Sequence, residues 1–570
     1  MRWALYIGNS LLALSVVAAF VGCKSTADLG ALPVYDEGFQ RTYFEGQNHL
    51  AKGDLDQAYT SFLACLEKQP EEHALRFDLA KIDLQREQFE AAIAHLNVVI
   101  ESDASHRWAR EYRAEAAMAL GQTDLAVEDL SWILERRPGD LDWTYDWTLK
   151  LADAGAPEAA LKLCDAYETQ TPGDPDIRLQ RFYFLELLSD YEAIYHGLEQ
   201  AVIDFPDIPE FKLQWAQMLR ATGQDGEALE ALLDIVQDDP SNGVAQLDLA
   251  HLYTALNEIE KAQDALLIAF SSPDVFAEEK QEILIQYLQI AVVDPTLNGV
   301  IGRLIEAALD QHPRSAELRM LAADFEQGQG RPESARTHAL VAVETNPSDP
   351  FAWTNLIALD ADLDQAEEML NHALKASDLF PLDANFAYYA AVAALELEDF
   401  DQVIASLEHG IGVVLDAPEM EGMMYGMLGD ALHEEERPAE AYAAYEKSLN
   451  RIRDNPAVLN NYSYYLAEAG EQLDRALELS SRLMELAPME PNFMDTHAWV
   501  LYKNQRYAEA LDFITQALFQ STNQGATFWE HDGDIRLAMD DVQGAVASWE
   551  RAIEAGGDEP ALNEKIRKHQ

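Results

Sequence analysis

An all-α fold, an α-solenoid superhelix of tandem helix pairs, is predicted by three columns of residues that recur in one phase of 34. Pro70, Pro138, Pro172, Pro206 and Pro240 form the first column. Ala58, Ala92, Ala126, Ala160, Ala228 and Ala262 form the second, with Ile194 where a seventh alanine would stand. Gly46, Ala80, Ala114, Ala216 and Ala250 form the third, twelve residues ahead of the second. A fixed period of this length marks a unit that buries its apolar face by stacking on copies of itself.

Each column has a place in the unit. Gly46 and its equivalents are small because the first helix of a pair must approach the second to roughly 8–10 Å. Gly53, Gly121, Gly155 and Gly223 follow, and glycine tolerates the positive φ that ends a helix. The alanines are the matching contact on the second helix. The prolines close that helix, because proline lacks the backbone donor a helix interior needs and restricts the residue before it. Runs of Ala, Leu, Glu and Gln favour helix along the chain, and no strand-like alternation is present.

These columns resemble the tetratricopeptide repeat. Its Ala-x3-aromatic signature stands as Ala58 with Phe62, Ala441 with Tyr445 and Ala545 with Trp549, and Trp529, Gly533, Val542, Ala545, Trp549 and Ala552 give the fullest single match. The resemblance implies about fifteen tandem repeats between Phe39 and Glu559.

Along the chain, Arg2 precedes an apolar run from Trp3 to Val21, then Gly22 and Cys23. This resembles a lipoprotein signal peptide, residues 1–22, with Phe20 in place of the preferred leucine. The resemblance implies cleavage before Cys23, acylation of that cysteine and a lipidated tether over residues 23–38. Lys24 is not the aspartate of inner-membrane retention, so the expected location is the outer membrane, facing the periplasm. An uncleaved membrane anchor is the alternative reading of the apolar run. Residues 39–276 form a regular array of seven repeats, 277–315 an irregular repeat with a joint at 277–281, 316–559 a second array, and 560–570 a polar C-terminal cap. The block over residues 457–559 is similar to the closing repeats of Bacteroidetes-type tetratricopeptide lipoproteins.

The chain carries 40 basic and 101 acidic residues, a net charge of −61. Phosphate neutralisation needs a basic surplus, so nucleic acid is excluded as a favoured partner. The charge reads either as solubility spread over a long array or as steering of a basic partner. No H-E-x-x-H, G-x-S-x-G, phosphate-binding glycine loop or paired-cysteine zinc pattern is present, and the expectation is a protein that is not an enzyme, with no cofactor, metal or small-molecule substrate. Asp360, Asp362 and Asp364 imitate the start of a calcium loop, but Gln365 and Asn371 stand where its glycine and glutamate belong, which leaves a solvated acidic turn. Cys65 and Cys164, three repeats apart, read as unpaired core residues, and Met420, Met423, Met424 and Met427 as core packing. The histidines fall mostly at polar positions.

In the resembled family the first helices line a concave groove that grips partner proteins or peptides. Carried over by register, the groove positions are Trp108, Tyr145, Tyr183, Tyr388, Asn461, Tyr465, Trp499 and Tyr502. Aromatic residues bring large contact area with few rotatable bonds. The family's basic clamp for a chaperone C-terminus is not matched. The expected function is a lipid-anchored scaffold for envelope proteins or peptides, with a structural subunit of a type IX-like secretion or motility machine as the alternative.

Overall fold

The computed structural model describes residues 35–521 and 525–569. The expected leader, Cys23 and all but the end of the tether lie outside them. The described residues contain 31 α-helices and one short 3-10 helix, and no strand. The fold is all-α, as predicted.

The chain divides into two compact units, Met1–Pro240 and Ser241–Gln570. The first holds six helix pairs, from Glu37–Ala51 with Leu55–Lys68 to Pro209–Ala221 with Asp225–Asp238. The second holds nine pairs, from Gly243–Ala255 with Ile259–Phe270 to Ala526–Ala538 with Val542–Glu554, and a closing helix, Glu559–His569. The first helix begins at Glu37 on an Asp36 cap, inside the stretch expected to be tether, because the Asp36 carboxylate accepts the Phe39 backbone N–H at 2.6 Å.

Both small-residue columns are buried. The reason is visible where a glycine faces a ring: a Cβ on Gly46 would lie 2.7 Å from the Phe62 ring, one on Gly429 2.5 Å from Tyr445, and one on Gly533 2.5 Å from Trp549. One pair inverts the rule. Phe182 occupies the small column, and Gly197 on the partner helix clears its ring, at 2.6 Å from a would-be Cβ. What each pair conserves is summed volume across the crossing rather than residue type. Gly533→Ala should therefore displace the fully buried Trp549 and its N–H bond to Asp534 Oδ1 (3.0 Å), at a cost of about 1–3 kcal/mol. Faster hydrogen exchange confined to the last repeat is the expected signature.

The turn after the first helix uses a left-handed residue in every pair except Ala277–Ala291 with Asn298–Gln311. Gly53, Gly121, Gly155 and Gly223 supply it as expected, and Glu87, Ser189 and Asn257 adopt the same positive φ at the places where glycine is missing. Pro70, Pro172, Pro206 and Pro240 each stand one residue beyond a helix C-cap.

Two expectations are corrected, those on Asp360 and Met423. Asp360 is not solvated: it ends no loop but lies in the helix Pro350–Asp362, fully buried, accepting Arg336 Nε at 2.6 Å and lying 2.7 Å from His372 Nδ1. Its neighbours Asp362 and Asp364 are exposed. Two histidines, His497 and His531, are buried. Met423 is exposed, whereas Met424 is core and Met420 and Met427 pack against the same cluster. Cys65 and Cys164 are buried free thiols. The joint expected at 277–281 lies inside the second unit, within the helix Ala277–Ala291.

Candidate protein-binding face

In the second unit, first helices of successive repeats lie side by side: Pro418–Glu434, Pro456–Ala469, Pro491–Lys503, Ala526–Ala538, and then the closing helix. Proline at the first turn starts the first three, where its missing N–H costs nothing. Side chains about one repeat apart therefore meet across the face.

A continuous aromatic and acidic ladder results. Asp430 accepts the Tyr445 hydroxyl at 2.6 Å and the Asn461 side-chain amide at 3.0 Å. His433 stacks on Tyr465 with ring centroids 3.5 Å apart. Trp499 stacks between Tyr502 (4.8 Å) and His531 (4.0 Å), donates its indole N–H to Glu468, and lies under the Lys503 ammonium at 4.7 Å. His531 Nδ1 is 2.8 Å from Asp495 Oδ1. Lys565 of the closing helix bridges Glu530 (2.9 Å) and Asp534 (2.8 Å). That pairing gives this cap lysine a specific anchor beyond any interaction with the helix dipole.

Electrostatics keep the phenols neutral. Burial first, then the Asp430 charge, pushes Tyr465 up to about 12, and burial with Glu468 does the same for Tyr464. Tyr502 is raised by burial and by Asp534. Burial also raises Asp430, against the hydrogen bonds from Tyr445 and Asn461. The face thus offers aromatic plates with hydroxyl donors, set among carboxylates. Among the described residues no group of side chains is placed to hold a metal ion.

Of the eight positions expected to line a groove, the structure brings four together: Asn461, Tyr465, Trp499 and Tyr502. Trp499 is only 7% exposed and forms the floor of the ladder rather than an open anchor. Tyr388 lies earlier in the second unit, on the helix Ala384–Glu396, beside Tyr389 at 6.3 Å. The other three are in the first unit. Trp108 is 55% exposed and Tyr183 49%, while Tyr145 is half-buried, its hydroxyl raised by burial and by Asp176. His433, Tyr464, Glu468, Asp495 and His531 belong to the face and were not picked out by register. What joins them is contact about one or two repeats apart, Glu468 to Trp499 and Asp495 to His531 among them, which exists only in the folded array.

Tetratricopeptide repeat models match residues 49–110, 113–175, 303–350 and 424–455. The chain carries these repeats. The TPR repeat-containing thioredoxin TTL4 of Arabidopsis thaliana is 27% identical over 135 residues, 24% of this chain. The chain spans 18% of that relative's length. A tetratricopeptide repeat protein of Parabacteroides merdae is similar in structure over 45% of this chain and 98% of its own, at 15% identity and TM-score 0.34. The Cut9–Hcn1 hetero-tetramer of the APC/C provides a chain similar over 93% of this one and 96% of its own, at 13% identity and TM-score 0.35.

Proposed function

We propose that this tetratricopeptide-repeat chain is a non-catalytic scaffold that captures partner proteins or peptides on the first-helix face of its C-terminal repeats. The carrying observation is the Tyr465–His433 and Tyr502–Trp499–His531 stacking within a frame of carboxylates. Large rigid rings at the centre of a face are what concentrates binding energy in protein interfaces. The carboxylates select against acidic partners by charge.

Trp499 is the floor, so removing it would disturb packing. The informative variant is Tyr465→Ala with Tyr502→Ala, both half-buried, leaving Trp499 and His531 in place. Capture of envelope proteins is expected to fall about tenfold or more, with helix content unchanged. A photocrosslinking residue placed at 465 or 502 should trap partners that the same residue at Glu478, on an exposed second-helix position, does not. Equal trapping at all three positions would show that the face is not where partners bind. Constant stoichiometry of the trapped proteins would favour a fixed subunit of a secretion or motility machine, and exchange would favour a general scaffold.

The proposal includes acylation of Cys23 and tethering at the periplasmic side of the outer membrane, supported by the sequence F-V-G-C after an apolar run. Each buried acyl methylene contributes roughly 0.8 kcal/mol, so two or more chains hold a protein on a bilayer. Cys23→Ser is expected to abolish incorporation of labelled palmitate and release the protein from the membrane fraction.

A further inference from the structure

A second aromatic surface lies in the first unit, far along the sequence from the ladder. The first helices Arg107–Ala119 and Leu141–Asp153 flank a cleft of about 440 Å³, whose lining includes Trp108, Trp147, Glu111, Glu115, Lys150 and Asp153. Its rings already attract cations. The Arg107 guanidinium sits 4.6 Å over Trp108, and the Lys150 ammonium 4.6 Å over Trp147.

Each of these two cations also pairs with a carboxylate of its own helix. Lys150 Nζ pairs with Asp146 at 2.7 Å, and Arg107 with Glu111 at 3.4 Å. Glu111 is further fixed by the Trp143 indole N–H, at 3.3 Å from its other oxygen. That leaves Glu115 and Asp153, both exposed at the rim, for an incoming positive charge.

We propose that this cleft is a pocket for an arginine side chain on an extended basic segment of a partner protein. A guanidinium can lie flat on an indole while its in-plane donors reach carboxylates, a geometry an ammonium cannot reproduce. The cleft is larger than one side chain and accommodates the adjoining backbone as well. The net charge of −61 raises the local concentration of basic chains around it. This pocket stands independently of the C-terminal face, on a different pair of helices.

The test uses the full protein labelled with 5-fluorotryptophan, the Trp108 and Trp147 resonances being assigned through Trp108→Phe and Trp147→Phe. The probes are an end-blocked Ala-Ala-Arg-Ala-Ala peptide and its citrulline twin, which keeps the shape and hydrogen-bonding plane but loses the charge. The arginine peptide should shift both resonances saturably, with the citrulline peptide weaker by about fivefold or more. Glu115→Gln with Asp153→Asn should weaken arginine binding about threefold or more, and both positions are exposed, so folding is retained. Tyr465→Ala with Tyr502→Ala should leave the titration unchanged, which separates failure of this pocket from failure of the C-terminal face. Equal affinity for the citrulline peptide, shifts spread evenly over all tryptophans, or indifference to the double carboxylate variant would each overturn the proposal.

Discussion

Asp129→Ala is expected to destabilise the repeat around it by about 3–5 kcal/mol, because it strands two arginines. Asp129 lies on the helix Thr123–Leu134 with its side chain fully buried. Arg113 grips it in a fork, Nε to Oδ2 at 2.7 Å and a terminal nitrogen to Oδ1 at 2.8 Å, and Arg110 adds a third bond to Oδ1 at 2.8 Å. Arg113 also reaches Asn97 on the preceding helix at 2.6 Å, so one carboxylate ties three successive helices. Arg110 is itself buried and stacks on Trp132 at 4.3 Å, which prevents it from swinging out to water. Removing the carboxylate leaves a like-charged pair in a poorly solvated crossing. Hydrogen exchange over Phe89–Leu134 should accelerate about 100-fold or more, while the second unit keeps its wild-type rates. Acceleration below about tenfold would mean that water reaches these guanidinium groups and the triad contributes little.

Asp129 also shows where reading the sequence stopped. A surplus of acidic residues reads as a solvated surface, and for Asp362 and Asp364 it is one. Asp83, Asp129, Asp360 and Asp532 are instead buried, and nothing local distinguishes them. Arg336 and His372, the partners of Asp360, lie on other helices, as Arg110 and Arg113 do for Asp129, and a one-dimensional pattern does not reveal which arginine will turn inward.

The array itself was legible because its cause is periodic. Volume must be conserved at every helix crossing, and that requirement repeats every 34 residues, so Gly46 with Phe62 and Gly533 with Trp549 announce themselves. The turn was half legible. Glycine marks it at Gly53, but Glu87 takes the same left-handed conformation because packing on both sides outweighs a local preference of about 1–2 kcal/mol. The binding face was legible as a register and not as contacts. Register put Trp499 and Tyr502 on one first helix; only the neighbouring helix determines that His531 covers the indole.

Lys280→Met should remove a pH dependence that few proteins show at alkaline pH. Lys280 sits in the helix Ala277–Ala291 and is 0% exposed. Its ammonium donates to the Ser272 carbonyl at 2.9 Å and faces His312 Nε2 at 3.0 Å, while the same His312 nitrogen lies 3.2 Å from the Val275 carbonyl. One ring nitrogen cannot accept from the ammonium and donate to a carbonyl at once. With Lys280 charged, Nε2 must accept, and the Val275 carbonyl loses that donor. Burial pushes the lysine from the ordinary 10.5 down to about 8, with the Glu279 charge opposing. Asp274, on the same loop, is turned toward the Ser272 hydroxyl at 3.3 Å. Because the folded-state value is the lower one, the unfolded chain holds more protons between pH 8 and 10.5, and stability must rise with pH across that window. Below pH 8 the full penalty applies, on the order of 3 kcal/mol. Methionine preserves the volume and removes the charge, at the cost of about 1–3 kcal/mol for the carbonyl and imidazole left behind. The stability difference between wild type and variant, followed by hydrogen exchange in Ala277–Ala291 and Asn298–Gln311, should therefore shift in favour of wild type by most of 3 kcal/mol from pH 7 to 10.5. A difference that stays flat over this range would show that the ammonium is hydrated in the folded protein.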